Sequence, residues 1–324
     1  MLYTRPPKVE EYKGDLLEND FKALVVPVSK SGDKPVLEGV AADIDKAVGG
    51  QLSEAIKLDQ FKGEAGEILK VFGKGKLIVY VGLGDRKASA EKLAENTRVA
   101  YAAATDRLVE TVERALVVVD DDGDIAREAV IGSLLAAYRF EAFKSEKKAK
   151  LKSIAFNVDG RRLEEALAVA EGVYLARDLA NAPPHEVSPP KLAEKLSRLF
   201  GELEGVEVEV FDYEKLVKEG FGGIVNVGKG SEEKPRLIIL KYNWGKGKPI
   251  ALVGKTMVFD SGGINLKPSQ SLFEMRADKA GGAAVAGVLW SVARLNLPIS
   301  VVALIPAAMN VPSGTSYLPS DVIR

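Results

Sequence analysis

Two lysines and two aspartates stand close together in one stretch of this sequence: Lys255, Asp260, Lys267 and Asp278. Glycines and apolar residues surround them, and the first part reads Lys-Thr-Met-Val-Phe-Asp-Ser-Gly-Gly-Ile-Asn-Leu-Lys. We expect such a stretch to be buried, where an unpaired charge costs on the order of several kcal/mol. The four side chains must therefore pair with one another or bind a ligand.

Two interpretations follow from these residue types. In the first, two buried Lys–Asp ion pairs tie a loop to a helix and do no chemistry. In the second, Asp260 and Asp278 are oxygen ligands of a divalent metal ion. A lysine could join them in its neutral form, because burial and nearby cations lower the pKa of a lysine. A second lysine that stays charged would polarise a carbonyl and stabilise an oxyanion. The residue types leave both interpretations open.

The composition excludes several other kinds of site. The chain of 324 residues has no cysteine and a single histidine, His185, so disulfides, thiolate nucleophiles and multi-histidine metal sites are impossible. His185 stands in a proline-rich connection without a nucleophile motif, which favours a surface or packing role. Gly82 and Gly84 follow a predicted strand but lack the third glycine of a dinucleotide-binding motif, which favours a plain turn.

Net charge and hydropathy limit which partners and which cellular location we expect for this chain. The net charge is −1 with both signs mixed, so we expect no nucleic-acid partner. We expect no membrane association, because no apolar run is long enough to span a bilayer. The first residues lack the apolar region of a signal peptide, which favours the cytoplasm. The absence of cysteine and the abundance of Lys and Glu favour a heat-adapted source.

Short apolar runs alternate with helical patterns, which predicts an α/β fold. The predicted strands lie at 23–28, 67–71, 77–81, 115–119, 153–158, 206–211, 236–242, 249–254 and 299–306. The predicted helices lie at 41–58, 88–104, 125–143, 162–181, 189–200, 213–219 and 278–295. Pro183-Pro184 ends the fourth helix. We therefore predict an N-terminal α/β domain at 1–160, an interdomain helix at 161–182 and a second, mixed α/β domain at 183–324.

These elements would position the charged cluster. Strand 250–254 is continuously apolar, as in strands that are buried on both faces, and Lys255 follows at its carboxyl end, where α/β sheets bind ligands. Asp278 begins a helix rich in small residues, where a carboxylate suits a cap. The Asn243-Trp-Gly-Lys-Gly-Lys segment predicts a hairpin or a tight connection.

Three parts of the sequence carry a resemblance to a known family. They are Val253-Gly-Lys-Thr-Met-Val-Phe-Asp-Ser-Gly-Gly-Ile-Asn-Leu-Lys-Pro-Ser with Met275-Arg-Ala-Asp-Lys-Ala-Gly-Gly, then Ala176-Arg-Asp-Leu-Ala-Asn-Ala-Pro-Pro, and Ile305-Pro-Ala-Ala-Met-Asn-Val-Pro-Ser-Gly with Pro319-Ser-Asp-Val-Ile. In these parts the sequence resembles the leucyl aminopeptidase (cytosol aminopeptidase, M17) family. The resemblance extends from about residue 175 to the end. The first 150 residues share only the general α/β character, and their macro-like fold is implied by the resemblance alone.

The resemblance implies a role for each residue of the cluster. Lys255, Asp260 and Asp278 would be ligands of two divalent metal ions, Mn or Zn, with Asp260 bridging them. Lys267 would be the catalytic lysine, and Met275 would line the pocket for the first side chain of the substrate. The implied substrates are peptides with a free N-terminus, leucine-like residues being preferred. A metal-activated water would attack the peptide carbonyl, in a homohexamer.

The pattern also departs from the family. The family carries a second motif, Asn-Thr-Asp-Ala-Glu-Gly-Arg, beyond the position of Arg324, so we expect an incomplete catalytic domain and an inactive chain. A fragment, an interrupted reading frame and a shortened natural relative are the explanations. Smaller departures are Thr256 and Ser320 in place of Gly, and Met309 in place of Glu. The alternative function is a non-catalytic binding or assembly protein that uses its N-terminal domain.

Overall fold

The computed structural model describes residues 3–120, 123–245 and 247–323. The chain divides into two compact units. The first unit is Arg5–Ala170, and the second consists of Glu171–Arg324 together with Met1–Thr4. The division falls inside a long helix, so the two halves of this helix belong to different cores.

The first unit is built on a mixed sheet. Its strands are β1 (Lys8–Glu11), β2 (Ala23–Ser31), β3 (Lys34–Pro35), β4 (Ile68–Gly73), β5 (Lys76–Asp85), β6 (Arg114–Val117) and β7 (Ser153–Phe156). Its helices are α1 (Gly39–Ala47), α2 (Gln51–Lys57), α3 (Ala90–Asp106), α4 (Asp124–Ala136) and the first part of α5 (Gly160–Asn181). Among the described residues the strand order is β1-β7-β6-β2-β5-β4, with β3 paired to β2.

Successive apolar side chains of the central strands pack into two different cores, so both faces of this sheet are buried. Val25 and Val79 face one core, while Leu24 and Ile78 face the other. The neighbours are parallel except at β4–β5 and β2–β3. Continuous apolar runs are what a sheet covered on both faces requires, because successive side chains point to opposite faces.

Two predicted helices of this unit differ from the structure. The predicted helix 41–58 is wrong, because the chain forms α1 and α2 with a break between them. Gly49 and Gly50 have φ values of 94° and 75°, a left-handed conformation that interrupts a helix. The predicted helix 125–143 is too long, since α4 ends at Ala136.

The second unit combines a smaller sheet with longer helices. Its helices, besides the end of α5, are α6 (Pro189–Gly201), α7 (Tyr213–Lys218), α8 (Gly222–Gly228), α9 (Ser269–Leu272) and α10 (Ala280–Arg294). Its strands are β8 (Val206–Phe211), β9 (Arg236–Tyr242), β10 (Ile250–Val253), β11 (Thr256–Asp260) and β12 (Val301–Asn310). Short 3₁₀ turns lie at Pro184–Glu186 and Glu274–Ala277.

Strand β12 organises this second sheet. Strand β9 pairs antiparallel along one side of β12, and β8 pairs with β9. On the other side, β10 and β11 pair parallel with successive parts of β12. The chain thus leaves the sheet after Val253 and re-enters it at Thr256, beside the same neighbour. Lys255 lies in this interruption, and Asp260 lies at the far end of β11.

Two expectations for this region need correction. Strand β10 is not buried on both faces: Ile250 and Val253 are 52% and 69% exposed. The reason is that, within the described part of the chain, β10 has β12 as its one strand neighbour. Of the two forms predicted for the 243–248 connection, a hairpin or a tight connection, the hairpin is not formed by the described residues, because β9 and β10 both pair with β12 instead of with each other. Lys246 of this connection lies outside the described residues.

Close helix packing completes the second core. A Cβ on Gly287 of α10 would lie 2.4 Å from the carbonyl oxygen of Gly172 in α5, so the two helices touch backbone to backbone. Phe200 and Trp290 meet edge to face at 5.9 Å. The fully buried Asp178 accepts hydrogen bonds at 2.8 Å from the backbone amides of Tyr3 and Thr4. Throughout the described residues, no helix combines the length and the apolarity that crossing a membrane needs.

Candidate metal centre

The interruption between β10 and β11 places Lys255 against the start of α10. A Cβ on Gly254 would lie 2.6 Å from the carbonyl oxygen of Gly281, so only glycine fits there. The amide of Gly282 donates to the carbonyl oxygen of Lys255 at 2.8 Å. The Lys255 side chain is 63% exposed, which corrects the expectation that the whole stretch is buried. Its Nζ lies 3.0 Å from Oδ2 of Asp278.

Asp278 lies at the end of the 3₁₀ turn Glu274–Ala277. Its carbonyl oxygen accepts from the amide of Met257 in β11 at 3.2 Å. Its Oδ2 is buried and has no hydrogen-bond partner in the described part of the chain, although Lys255 is close enough for an ion pair. The contact has the distance of an ion pair without the alignment of a hydrogen bond. A buried carboxylate oxygen without a donor suits a cation ligand.

The prediction that Asp278 caps α10 is wrong. The helix begins at Ala280, its N-cap position is Lys279, and no side chain caps it. The carboxylate of Asp278 is turned towards Lys255 instead.

Asp260 is held by three donors at the end of β11. Its Oδ1 accepts from the amide of Gly262 at 2.9 Å and from Nδ2 of Asn310 at 2.8 Å. Its Oδ2 accepts from Nζ of Lys267 at 2.7 Å. Burial raises the pKa of Asp260, but the hydrogen bonds from Lys267, Gly262 and Asn310 outweigh it and hold the pKa below its ordinary value. The carboxylate is therefore ionised at neutral pH.

A glycine turn brings Lys267 back to Asp260. Gly262 and Gly263 have φ values of 90° and 71°, which other residues rarely adopt. The amide of Lys267 donates to the carbonyl oxygen of Ser261 at 2.9 Å and closes the turn. Nζ of Lys267 also lies 3.1 Å from Sδ of Met275. The structure thus brings together Lys267, Asp260 and Met275, three of the five residues that the sequence singled out.

The cluster consists of two Lys–Asp ion pairs, Lys267–Asp260 and Lys255–Asp278, as in the first interpretation, but the second pair is not fully buried because Lys255 is exposed. The bond between Met257 and Asp278 links the two pairs through the backbone. Over the described residues, no three His, Cys, Asp or Glu side chains are grouped so that they could hold a metal ion. Two carboxylates and the Lys255 amine fit a divalent cation in chemical type, and the donor-free Oδ2 of Asp278 supports that fit. The metal interpretation remains a proposal.

Two further buried polar residues belong to this region, and the sequence reasoning gave neither a role. Lys279 is 1% exposed, and its Nζ donates to the carbonyl oxygen of Arg276. Burial, with a smaller effect of Arg276, lowers the pKa of Lys279 to about 8. Asn310, at the end of β12, holds Asp260. A signal for Lys279 exists, since residues 279, 283, 286 and 290 recur on one helical face.

The two remaining candidates, His185 and the Gly82–Gly84 pair, have different outcomes. His185 is 74% exposed and lies 3.4 Å from a Glu186 carboxylate oxygen, which confirms a surface role. A Cβ on Gly82 would lie 2.1 Å from the carbonyl oxygen of Glu64. Gly82 and Gly84 both lie inside β5, so the predicted turn after the strand is wrong.

Comparison with known proteins identifies the family. The sequence profile described as "Cytosol aminopeptidase family, catalytic domain" matches residues 174–324, and the profile of the family's N-terminal domain matches residues 25–147. The chain belongs to the cytosol aminopeptidase family. This confirms the resemblance and the predicted fold of two α/β domains.

Individual relatives agree with this assignment. The chain is 51% identical to the "Probable cytosol aminopeptidase" of Aeropyrum pernix, over 100% of this chain and 64% of the relative. It is 34% identical to the protein of that name from Geobacter sp., over 98% of this chain and 67% of the relative. The solved structure "Bottromycin maturation enzyme BotP in complex with Mn" is 28% identical with a TM-score of 0.75, over 94% of this chain and 63% of that chain. The chain thus spans less than two thirds of the Aeropyrum relative.

Proposed function

We propose that the protein is a metal-dependent aminopeptidase that removes N-terminal amino acids from peptides, with a preference for leucine-like residues. The observation that carries the proposal is the buried Oδ2 of Asp278, which lacks a donor and lies beside the Lys255 amine. The family of the chain supports it, as do relatives that bear the name of cytosol aminopeptidases.

Asp260, Asp278 and Lys255 would hold the metal ions. Two ions, Mn or Zn, are expected from the family resemblance, and the BotP structure is described as a complex with Mn. Bound ions would supply activation of a water and polarisation of the scissile carbonyl. The Asp260 carboxylate is already ionised and has no proton to lose on binding. Lys255 must lose a proton to become a ligand, because an ammonium has no lone pair.

Lys267 would act on the substrate directly. Its side chain is 31% exposed and its ammonium is fixed by the 2.7 Å contact with Asp260. A charged donor in a fixed position can bind the carbonyl oxygen and stabilise the negative charge that develops there. Met275 touches Lys267 and supplies an apolar surface for the first side chain of the substrate.

The setting of the enzyme follows from the same family resemblance. We infer a homohexamer in the cytoplasm, and the absence of cysteine supports adaptation to heat. We also infer that the 324 residues supply only part of the ligands for two ions. In the described part of the chain, the site offers two carboxylates and one amine, whereas divalent ions of this kind take four to six ligands.

Titration of the chain with Mn²⁺ by calorimetry tests the site. We expect saturable binding, which Asp260→Asn and Asp278→Asn each weaken by about tenfold or more, because each removes a charged ligand. Glu209→Gln is the matched control, since Glu209 also pairs with two lysines of this unit, Lys215 and Lys241. This control should bind Mn²⁺ as the wild type does. Equal affinity in all four proteins would contradict the proposed ligands.

Hydrolysis of a leucyl amide tests the reaction. We expect turnover with Mn²⁺ or Zn²⁺ from a polypeptide in which these residues are joined by the family segment Asn-Thr-Asp-Ala-Glu-Gly-Arg. The 324 residues alone should show little or none. Lys267→Ala should lower kcat about a hundredfold or more, because it removes the donor to the carbonyl oxygen. Inactivity of the longer, metal-loaded polypeptide would rule out the proposed reaction.

A further inference from the structure

Asn310 is fixed beside the Asp260 carboxylate by the register of the sheet. The two residues are direct partners at the ends of β11 and β12. The carbonyl oxygen of Asn310 accepts from the amide of Ser261 at 2.9 Å and from its Oγ at 2.8 Å. Asn310 is 6% exposed and Ser261 is 5% exposed. The backbone of Asn310 therefore cannot move away from the turn that follows Asp260.

The amide of Asn310 has one favourable orientation in this position. Its Nδ2 donates to Oδ1 of Asp260 at 2.8 Å, and the flipped amide would direct an oxygen at the carboxylate. Its own Oδ1 is buried and finds no hydrogen-bond donor among the described residues. A Cβ at position 263 would lie 2.7 Å from this oxygen, so Gly263 leaves the amide the room it needs. The orientation that lets Nδ2 of Asn310 donate to Asp260 therefore leaves Oδ1 of Asn310 buried without a donor among the described residues.

This arrangement divides the tasks of the two Asp260 oxygens. Oδ1 is tied to the scaffold by Gly262 and Asn310, whereas Oδ2 contacts only the Lys267 side chain among the described residues. The plane of the carboxylate is thereby set, with Oδ2 turned towards the Lys267 ammonium. Groups that orient a ligand in this way commonly change metal affinity by about 10–100-fold when they are removed.

We propose that Asn310 is a positioning residue that fixes the orientation of the Asp260 carboxylate and thereby sets the affinity of the site for a divalent cation. The statement about affinity rests on the proposed function, and the statement about orientation does not. Asn310 touches neither a substrate nor a reacting atom in this role. It acts through Asp260.

The test uses Asn310→Leu, which keeps the size of the side chain and removes its donor. In calorimetric titrations of the full chain with Mn²⁺ alone, we expect this variant to bind about tenfold or more weakly. Asn157→Leu is the matched control. It removes an exposed side-chain amide that both donates to and accepts from the Val119 backbone in the first unit, and it should leave the Mn²⁺ affinity unchanged. Thermal unfolding without metal separates loss of affinity from loss of stability.

Crystal structures of the metal-free wild type and of Asn310→Leu give an independent readout. We expect the Asp260 carboxylate of the variant to rotate or to occupy two orientations. If the Asp260 carboxylate of the variant keeps the wild-type orientation, the proposal that Asn310 fixes this orientation is wrong. If the Mn²⁺ affinity is unchanged, the proposed effect of Asn310 on metal binding is wrong. If the wild type binds no Mn²⁺ through Asp260, the metal site fails and the statement on affinity falls with it. The crystal structures still decide the orientation in that case.

Discussion

Lys279 carries an ammonium group into the core of the second unit. The side chain borders a cavity of about 10 Å³, with Leu179, Leu192 and Ile305 among its walls. An ammonium has three N–H donors, and in the described part of the chain it meets one acceptor, the carbonyl oxygen of Arg276. The lowered pKa of about 8 reflects this burial in the first place. The charged form is therefore held at a cost in stability.

Lys279→Met should stabilise the metal-free protein at pH 7 by about 1–3 kcal/mol, because it replaces a poorly paired buried charge by an apolar side chain of similar length. The folded pKa of about 8 lies below the ordinary 10.5, so the unfolded state binds more protons between these values. Wild-type stability therefore rises with pH in this window, and the advantage of Lys279→Met should shrink.

Urea unfolding with a chelator at pH 7 and pH 10 measures both effects. Lys218→Met, on an exposed lysine of the same unit, should change stability by less than about 0.5 kcal/mol. A Lys279→Met protein that is less stable than the wild type at pH 7 would contradict the argument.

At the residue scale, the sequence indicated which ionisable side chains form the cluster, but it did not indicate the residues that hold them in place. Two Lys–Asp pairs were one of the two interpretations that the types and spacing of Lys255, Asp260, Lys267 and Asp278 allowed. The structure contains both pairs, with Lys255 exposed where burial was expected. Asn310 gave no such signal. Its contact with Asp260 depends on the register of two strands that are 50 residues apart in sequence, which no local pattern contains.

At the scale of elements, the site depends on the close approach of the β10–β11 interruption to α10. Gly254→Ala should destabilise the protein by about 1–3 kcal/mol, because the new Cβ meets the Gly281 backbone at 2.6 Å and backbone cannot yield as a side chain can. It should also weaken Mn²⁺ binding, since Lys255 follows directly. Thermal unfolding and calorimetry measure the two effects.

The control for this substitution is Gly223→Ala in α8, where a Cβ meets nothing within 4 Å. That variant should be neutral or slightly stabilising, because alanine is the better helix former. Equal stability of the two variants would show that the approach at Gly254 is not tight.

Most elements of the fold were predictable from local patterns, and the exceptions have physical reasons. Strands β8 and β9 have the predicted bounds, because the alternating pattern of β8 and the apolar run of β9 are each followed by a turn residue, Asp212 and Asn243. Strand β11 was not predicted, since five residues that end in a charge look like part of a glycine-rich loop. The apolar sequence of β10 resembles that of a central strand. Its place at the edge is decided by the strand order of the sheet, and hydrophobic periodicity contains no information about strand order.

At the scale of the whole molecule, the second unit includes the beginning of the chain. Asp178→Ala should destabilise this unit by about 1–3 kcal/mol, because it leaves the amides of Tyr3 and Thr4 without the carboxylate that accepts from both. Hydrogen exchange of these two amides should accelerate as well. Both quantities can be measured on the metal-free chain.

Asp212→Ala provides the comparison for this variant. Asp212 also accepts a backbone amide in the second unit, that of Lys215 at the start of α7, and it is exposed. Exchange at Tyr3 and Thr4 should be the same as in the wild type. Acceleration in both variants would indicate general loosening of the unit.

The bonds between Asp178 and the first residues also set a mechanical path. If the two ends of the chain are pulled apart, tension enters at Tyr3 and Thr4 and passes through their hydrogen bonds to Asp178 in α5. Residues between Thr4 and Asp178, which include the whole first unit, form a loop outside this path. These two hydrogen bonds and the contacts of Tyr3 would have to break before the first unit bears any of the applied force.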